Sequence, residues 1–298
     1  MKWAVALVVV LTLCGVALYL AQHRKHDDVV SPNAVVDMAA DWQRDLSRVP
    51  MHLTRISDQQ EIRIGDALAQ EYSSTEVPRD PEMRATEQYI NQIGAGVAAH
   101  AKRSLPYRFH LIPSKDLMNA FALPGGHVFV GQGLLDRMTS EDELAFVLGH
   151  EIEHIDHYHA VERVQVEAQL KSLDLDVVAA VAELPMSLWQ TGYSKDEELE
   201  ADREGLRIAA ASGYSAQGAV NQLTRWTKLR DEYVIHAETP TEELSELAIE
   251  GLGGYFRTHP LPSERLAQAQ SIIAQDHLPL DKPLKPFHVE YEITPGDS

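Results

Sequence analysis

Residues 140–156 read Ser-Glu-Asp-Glu-Leu-Ala-Phe-Val-Leu-Gly-His-Glu-Ile-Glu-His-Ile-Asp. Ser140 and Glu143 make a capping-box pattern, and Leu144, Val147, Leu148, Ile152 and Ile155 recur at helical spacing, so the stretch predicts a helix with one apolar side. Inside it, His150, Glu151, Ile152, Glu153 and His154 form an HExxH pattern. Positions i and i+4 sit one above the other on a helix face, so two imidazoles can reach one cation. Glu151 is offset enough to address a water bound there. In a chain with 14 histidines, the pattern needs support from its surroundings.

That support lies downstream, where Glu198, Leu199, Glu200, Ala201 and Asp202 fall in a helical stretch over residues 194–211 that ends at Gly213, a C-cap candidate. A catalytic zinc takes three protein ligands and keeps one position open for water, and two histidines with one glutamate are an established set. Glu198 and Asp202 share a face at i and i+4. The first can bind the metal while the second accepts the outer N–H of a ligand histidine. On spacing alone Glu197 and Glu200 are rivals, and a solvated acidic helix face is the alternative reading of the whole run. His157 and His159 have no partner at useful spacing and read as surface groups.

Outward from this pair of helices, the pattern gives mostly helix. Ser57 and Gln60 cap a helix to about residue 72, and a second starts at Asp80 with Pro81 in its first turn and carries Ile90, Ile93, Val97 and Ala101. Short β-like runs at 107–112 and 127–130 are separated by Asn119, Pro124, Gly125 and Gly126. Helical patterns return at 160–190, broken by Pro185 after the apolar stretch 177–184, and again at 215–231, 241–250 and 263–275. A Pro-rich tail occupies 278–298, with a last strand expected at 288–293. The fold class is therefore α+β, mostly helical around one small β-sheet.

Composition removes whole classes of partner and site. With 45 acidic against 26 basic side chains, a net charge of -19 argues against nucleic acid, whose phosphates demand clustered Lys and Arg. Cys14 is the one cysteine, so an internal disulfide and a thiolate metal site are both excluded. It lies in an apolar run at residues 3–21 that carries no charge and is long enough to span a bilayer. Residues 1–22 thus read as a transmembrane helix; a cleaved signal sequence or a lipoprotein cleavage before Cys14 are the competing readings. Residues 23–55 read as a linker, 56–277 as the folded domain.

Four motifs in order, HEIEH at 150–154, ELEAD at 198–202, the segment Asn119-Ala-Phe-Ala-Leu-Pro-Gly-Gly-His127, and Thr258-His259-Pro260, resemble one family. It is the gluzincin family of membrane-linked zinc metallopeptidases, with the CAAX prenyl protease, the bacterial heat-shock membrane protease and the Oma-type protease. Within it, the chain is most similar to the branch of the periplasmic β-barrel assembly-enhancing protease. The resemblance covers roughly residues 55–275 and implies a zincin-like fold. It implies Zn2+ held by His150, His154 and Glu198, with Glu198 the first residue of the family's ExxAD pattern, and Asp202 behind the ligands. It also implies Glu151 as general base and His259 near the metal, as a fourth ligand or beside the oxyanion. The stretch between Asp202 and His259 is longer than the family's, which bears on whether that loop reaches the metal. The strand after Gly125-Gly126 is expected at a sheet edge, where an extended substrate adds by main-chain hydrogen bonds. The implied activity is endoproteolysis of unfolded or misassembled envelope proteins, from a single-pass anchor in the bacterial inner membrane, with the catalytic domain on the periplasmic side. A zinc-containing chaperone or assembly factor with little turnover is the alternative class.

Overall fold

The computed structural model describes residues 56–76, 81–170, 193–236 and 260–287. Among them the elements run α1 (Asp58–Glu76), α2 (Pro81–Ala98), β1 (Arg108–Ile112), β2 (Ala120–Leu123), a 3-10 turn (Pro124–Gly126), β3 (His127–Gly131), α3 (Gln132–Leu135), α4 (Glu141–Asp156), α5 (His159–Leu170), α6 (Lys195–Ala211), α7 (Gln217–His236) and α8 (Pro262–Asp276). This is the α+β arrangement expected, mostly helical around one three-stranded sheet. The expected N-terminal span, the helix at 241–250, the apolar stretch 177–184 and the strand at 288–293 lie outside the described residues. No described helix is long and apolar enough to cross a membrane.

The caps carry the local logic. Ser57 and Gln60 form the full reciprocal box, with Ser57 N donating to Gln60 Oε1 at 3.0 Å and Gln60 N to Ser57 Oγ at 3.3 Å. At α4 only half of the expected box forms. Ser140 Oγ accepts from Glu143 N, but the Glu143 carboxylate turns away to Thr139 and to the Arg225 guanidinium of α7. The diversion follows from burial: Glu143 is fully enclosed, and a buried carboxylate is held better by a guanidinium than by a backbone amide. At α6, Ser194 and Glu197 form a capping box as well.

The sheet order is β1-β3-β2, with β1 parallel and β2 antiparallel to β3. The strand after the double glycine is therefore central, not the expected edge. Among the described residues the edge beside it is β2, a four-residue strand within a segment that the sequence pattern gives as a turn. Ala-Phe-Ala-Leu is too short and too uniformly buried to show alternation. Both faces of the sheet are covered. Phe109, Leu111, Val128, Val130, Ala120 and Ala122 pack with Ile90, Ile93 and Val97 of α2 and Leu144, Leu148 and Ile152 of α4. Phe121, Leu123 and Phe129 pack on the other face with Ile64 and Leu68 of α1. Double coverage explains why β3 is apolar on consecutive residues. A third cluster, Phe146, Leu206, Leu223, Ala269 and Ile272, ties α4, α6, α7 and α8 together.

One close approach positions everything that follows. A Cβ on Gly149 would lie 2.5 Å from Gly205 O, and one on Gly205 would lie 2.5 Å from His150 N. The backbones of α4 and α6 touch there, which sets Glu198 and Asp202, at i-7 and i-3 from Gly205, against the histidines of α4.

Candidate metal centre

Three side chains from these two helices converge. His150 Nε2 lies 3.1 Å from His154 Nε2 and 3.4 Å from Glu198 Oε2, and His154 Nε2 lies 3.8 Å from Glu198 Oε1. All three are buried, at 4%, 1% and 0% exposure. Donors around a four-coordinate cation with bonds of about 2.0–2.2 Å are separated by about 3.3–3.6 Å, so this trio fits a divalent cation. Its donor set, two imidazoles and a carboxylate, is the one expected from sequence. The rivals are placed elsewhere: Glu197 caps α6 through Ser194, and Glu200 turns toward His157, 3.2 Å from its Nδ1.

Behind His150 stands an ionic pair. His150 Nδ1 is 3.0 Å from Asp202 Oδ1, and Asp202 takes a two-pronged contact from Arg265 of α8, Nε to Oδ2 at 2.7 Å and Nη2 to Oδ1 at 2.6 Å. Burial raises the Asp202 pKa, but the Arg265 charge and hydrogen bonds outweigh it and hold the carboxyl near 2. Burial likewise opposes charge on His150, yet hydrogen bonds to Asp202 and Glu198 overcome it and bring its pKa to about 9 in the metal-free protein. Glu151, 5% exposed, is pushed up to about 7 by burial, with Glu198 adding to the rise and His150 opposing it. A carboxyl poised near neutrality suits an acid–base role.

Glu151 and His150 open onto a cleft whose walls include Asn119 and Ala120 of the β2 segment, Phe146 and Val147 of α4, and Gln222 and Trp226 of α7. Ala120 of β2, His150 and Glu151 thus line one cleft.

Three contacts escaped the sequence reading. Arg265 was legible in principle: it shares an apolar helix face with Ala269 and Ile272, and an arginine facing a core demands a buried anion. Tyr193 stacks on His154 with centroids 3.9 Å apart and donates its backbone N–H to Glu198 Oε1 at 2.9 Å. Its signal was an aromatic residue directly before the cap Ser194, the position that packs back on the fourth helical residue, here Glu198. His159 corrects the expectation of a surface group. Tyr158 takes a left-handed backbone (φ 66), which folds the start of α5 back onto the last turn of α4 and buries His159 to 6% exposure. His157 is partly covered, its side chain 23% exposed and 3.2 Å from Glu153 Oε2. His259 lies outside the described residues.

The profile of peptidase family M48 matches residues 84–273, well over half of the chain. The chain belongs to peptidase family M48. This M48 chain is 30% identical over 233 residues to the β-barrel assembly-enhancing protease of Escherichia coli (strain K12), covering 71% of the chain and 43% of that relative. It is 29% identical over 235 residues to the protein of the same name from Yersinia pestis, covering 72% and 44%. It is 31% identical over 170 residues to the mitochondrial metalloendopeptidase OMA1 of Arabidopsis thaliana, covering 53% and 31%. The M48 chain spans less than half the length of these curated relatives.

Proposed function

We propose that the chain is a zinc-dependent endopeptidase acting on misfolded or misassembled envelope proteins, with His150, His154 and Glu198 as metal ligands. The observation that carries this reading is the convergence of three buried donors at 3.1–3.8 Å beside a carboxyl, Glu151, that lines the same cleft as His150 and Ala120. Bound zinc would supply Lewis-acid polarisation of the scissile carbonyl and of the attacking water. Glu151 takes the proton of that water and returns it to the departing amine nitrogen. Asp202 accepts from His150 Nδ1–H and so fixes the ring with Nε2 toward the metal. An extended client would add to the edge of β2, whose Ala120 lines the same cleft.

The names of the relatives, two β-barrel assembly-enhancing proteases and one metalloendopeptidase, support this choice of client. A membrane anchor at residues 1–22, a catalytic domain on the periplasmic side, and His259 as a metal-proximal group belong to the same proposal. The test is digestion of an unfolded protein by the full chain with and without chelator, alongside Glu198→Ala. Cleavage that stops on chelation, returns with zinc and is absent in Glu198→Ala supports the reading. Zinc-loaded parent that leaves the unfolded protein intact overturns it in favour of an assembly factor.

A further inference from the structure

The ring nitrogen of His154 that faces away from Glu198 lies 3.0 Å from another imidazole, His154 Nδ1 to His159 Nδ1. Only one proton fits between two nitrogens at that distance. If Nε2 of His154 offers its lone pair to a cation, the neutral ring must carry its proton on Nδ1, so His154 donates and His159 Nδ1 accepts. The proton of His159 is then forced onto its own Nε2. That atom faces two carboxylates of α6, Glu200 Oε2 at 3.8 Å and Glu197 Oε1 at 3.9 Å, within ion-pair range. His159 is itself held: it is buried, its ring is tilted against Tyr193 at 5.7 Å, and α5 begins at it after the left-handed turn at Tyr158.

We propose that His159 is a positioning residue for the metal ligand His154, fixing its tautomer and ring angle through the Nδ1–Nδ1 hydrogen bond, with Glu197 and Glu200 as the acidic end of the relay. This rests on the reading of His154 as a ligand. It has a second consequence. His157, His159 and Glu200 also bring three donor atoms within 4.8 Å of one another, as a second cation would require. Because the relay puts a proton on His159 Nε2, that trio does not take a cation while the first site is filled.

The experiment is the rate of zinc loss from the full, zinc-loaded chain into excess chelator, with the visible spectrum of the cobalt-substituted protein as second readout. His159→Leu removes the acceptor; His159→Asn returns an oxygen near the Nδ1 position. The expected result is loss about 10–100-fold faster in His159→Leu with an altered cobalt spectrum, and recovery to within about threefold of the parent in His159→Asn. Equal rates in parent and His159→Leu overturn the proposal. So does an equal acceleration in both variants, which would mark a merely structural role. A second zinc bound by the loaded parent and lost in His157→Ala also overturns it. His154→Ala separates this inference from the reading beneath it: if that variant keeps its zinc, the ligand assignment fails. If it loses zinc while His159→Leu behaves as the parent, only the relay fails.

Discussion

His150 and His154 turn the same ring nitrogen toward the same carboxylate, yet what stands behind them is different. Behind His150 lies a fully buried ionic pair, Asp202 with Arg265, that joins α4, α6 and α8. Behind His154 lies another imidazole, His159, where α5 begins after α4, backed by Glu200, whose side chain is 36% exposed. One support is part of the packing of three helices; the other is local. The difference teaches where stability and metal affinity separate: damage behind His150 should unfold the domain, whereas damage behind His154 should loosen only the metal.

The largest effect is expected from Asp202→Ala. It leaves the Arg265 guanidinium, 3% exposed, without its carboxylate, and the expected cost is about 3–5 kcal/mol in denaturant unfolding. Adding Arg265→Met should recover part of that loss; a cost below about 1 kcal/mol in the single variant would show that Arg265 escapes to solvent. Next in size is Gly205→Ala. A methyl group there meets the backbone of His150, so an overpacking cost of about 1–3 kcal/mol is expected, together with weaker zinc binding as Glu198 moves off its register.

Smaller still is the effect of pH on metal uptake. With the metal-free His150 pKa near 9, zinc must displace a proton at every pH below that value. Apparent affinity should therefore weaken about tenfold, or about 1.4 kcal/mol, for each unit of pH decrease from 9 to 7, measured by competition with a chelator of known affinity. A flat response over that range would mean that His150 is neutral before zinc arrives. The least effect is expected at Lys195–Glu264, an ion pair between the same α6 and α8 as Asp202–Arg265, but with side chains 56% and 41% exposed. Lys195→Ala should change the unfolding free energy by less than about 1 kcal/mol, which sharpens the contrast between an exposed and a buried pair across one helix interface.

Much of this was legible in the sequence because it depends on short-range periodicity. The helix bearing residues 150–154 follows from its cap and apolar spacing, and the shared face of Glu198 and Asp202 from a separation of four. What failed depends on tertiary context. β2 is four buried residues with no alternation to see, so the sheet edge was assigned to the wrong strand. His159 looks like a surface group until a left-handed Tyr158, which no propensity predicts for an aromatic residue, folds it under His154. Spacing alone left Glu198 level with Glu197 and Glu200, and it was the resemblance to the ExxAD pattern that singled it out; in the fold, the Gly149–Gly205 contact sets the rotation of α6 against α4.

In the proposed mechanism Glu151 is the base of a hydrolytic site whose cation is held by other residues. The direct test is the rate at which zinc-loaded parent and Glu151→Gln protein, matched in zinc content, cleave an unfolded protein. The account predicts unchanged zinc and a rate lower by about a hundred- to ten-thousandfold in the variant. Cleavage by Glu151→Gln at the parental rate would contradict it.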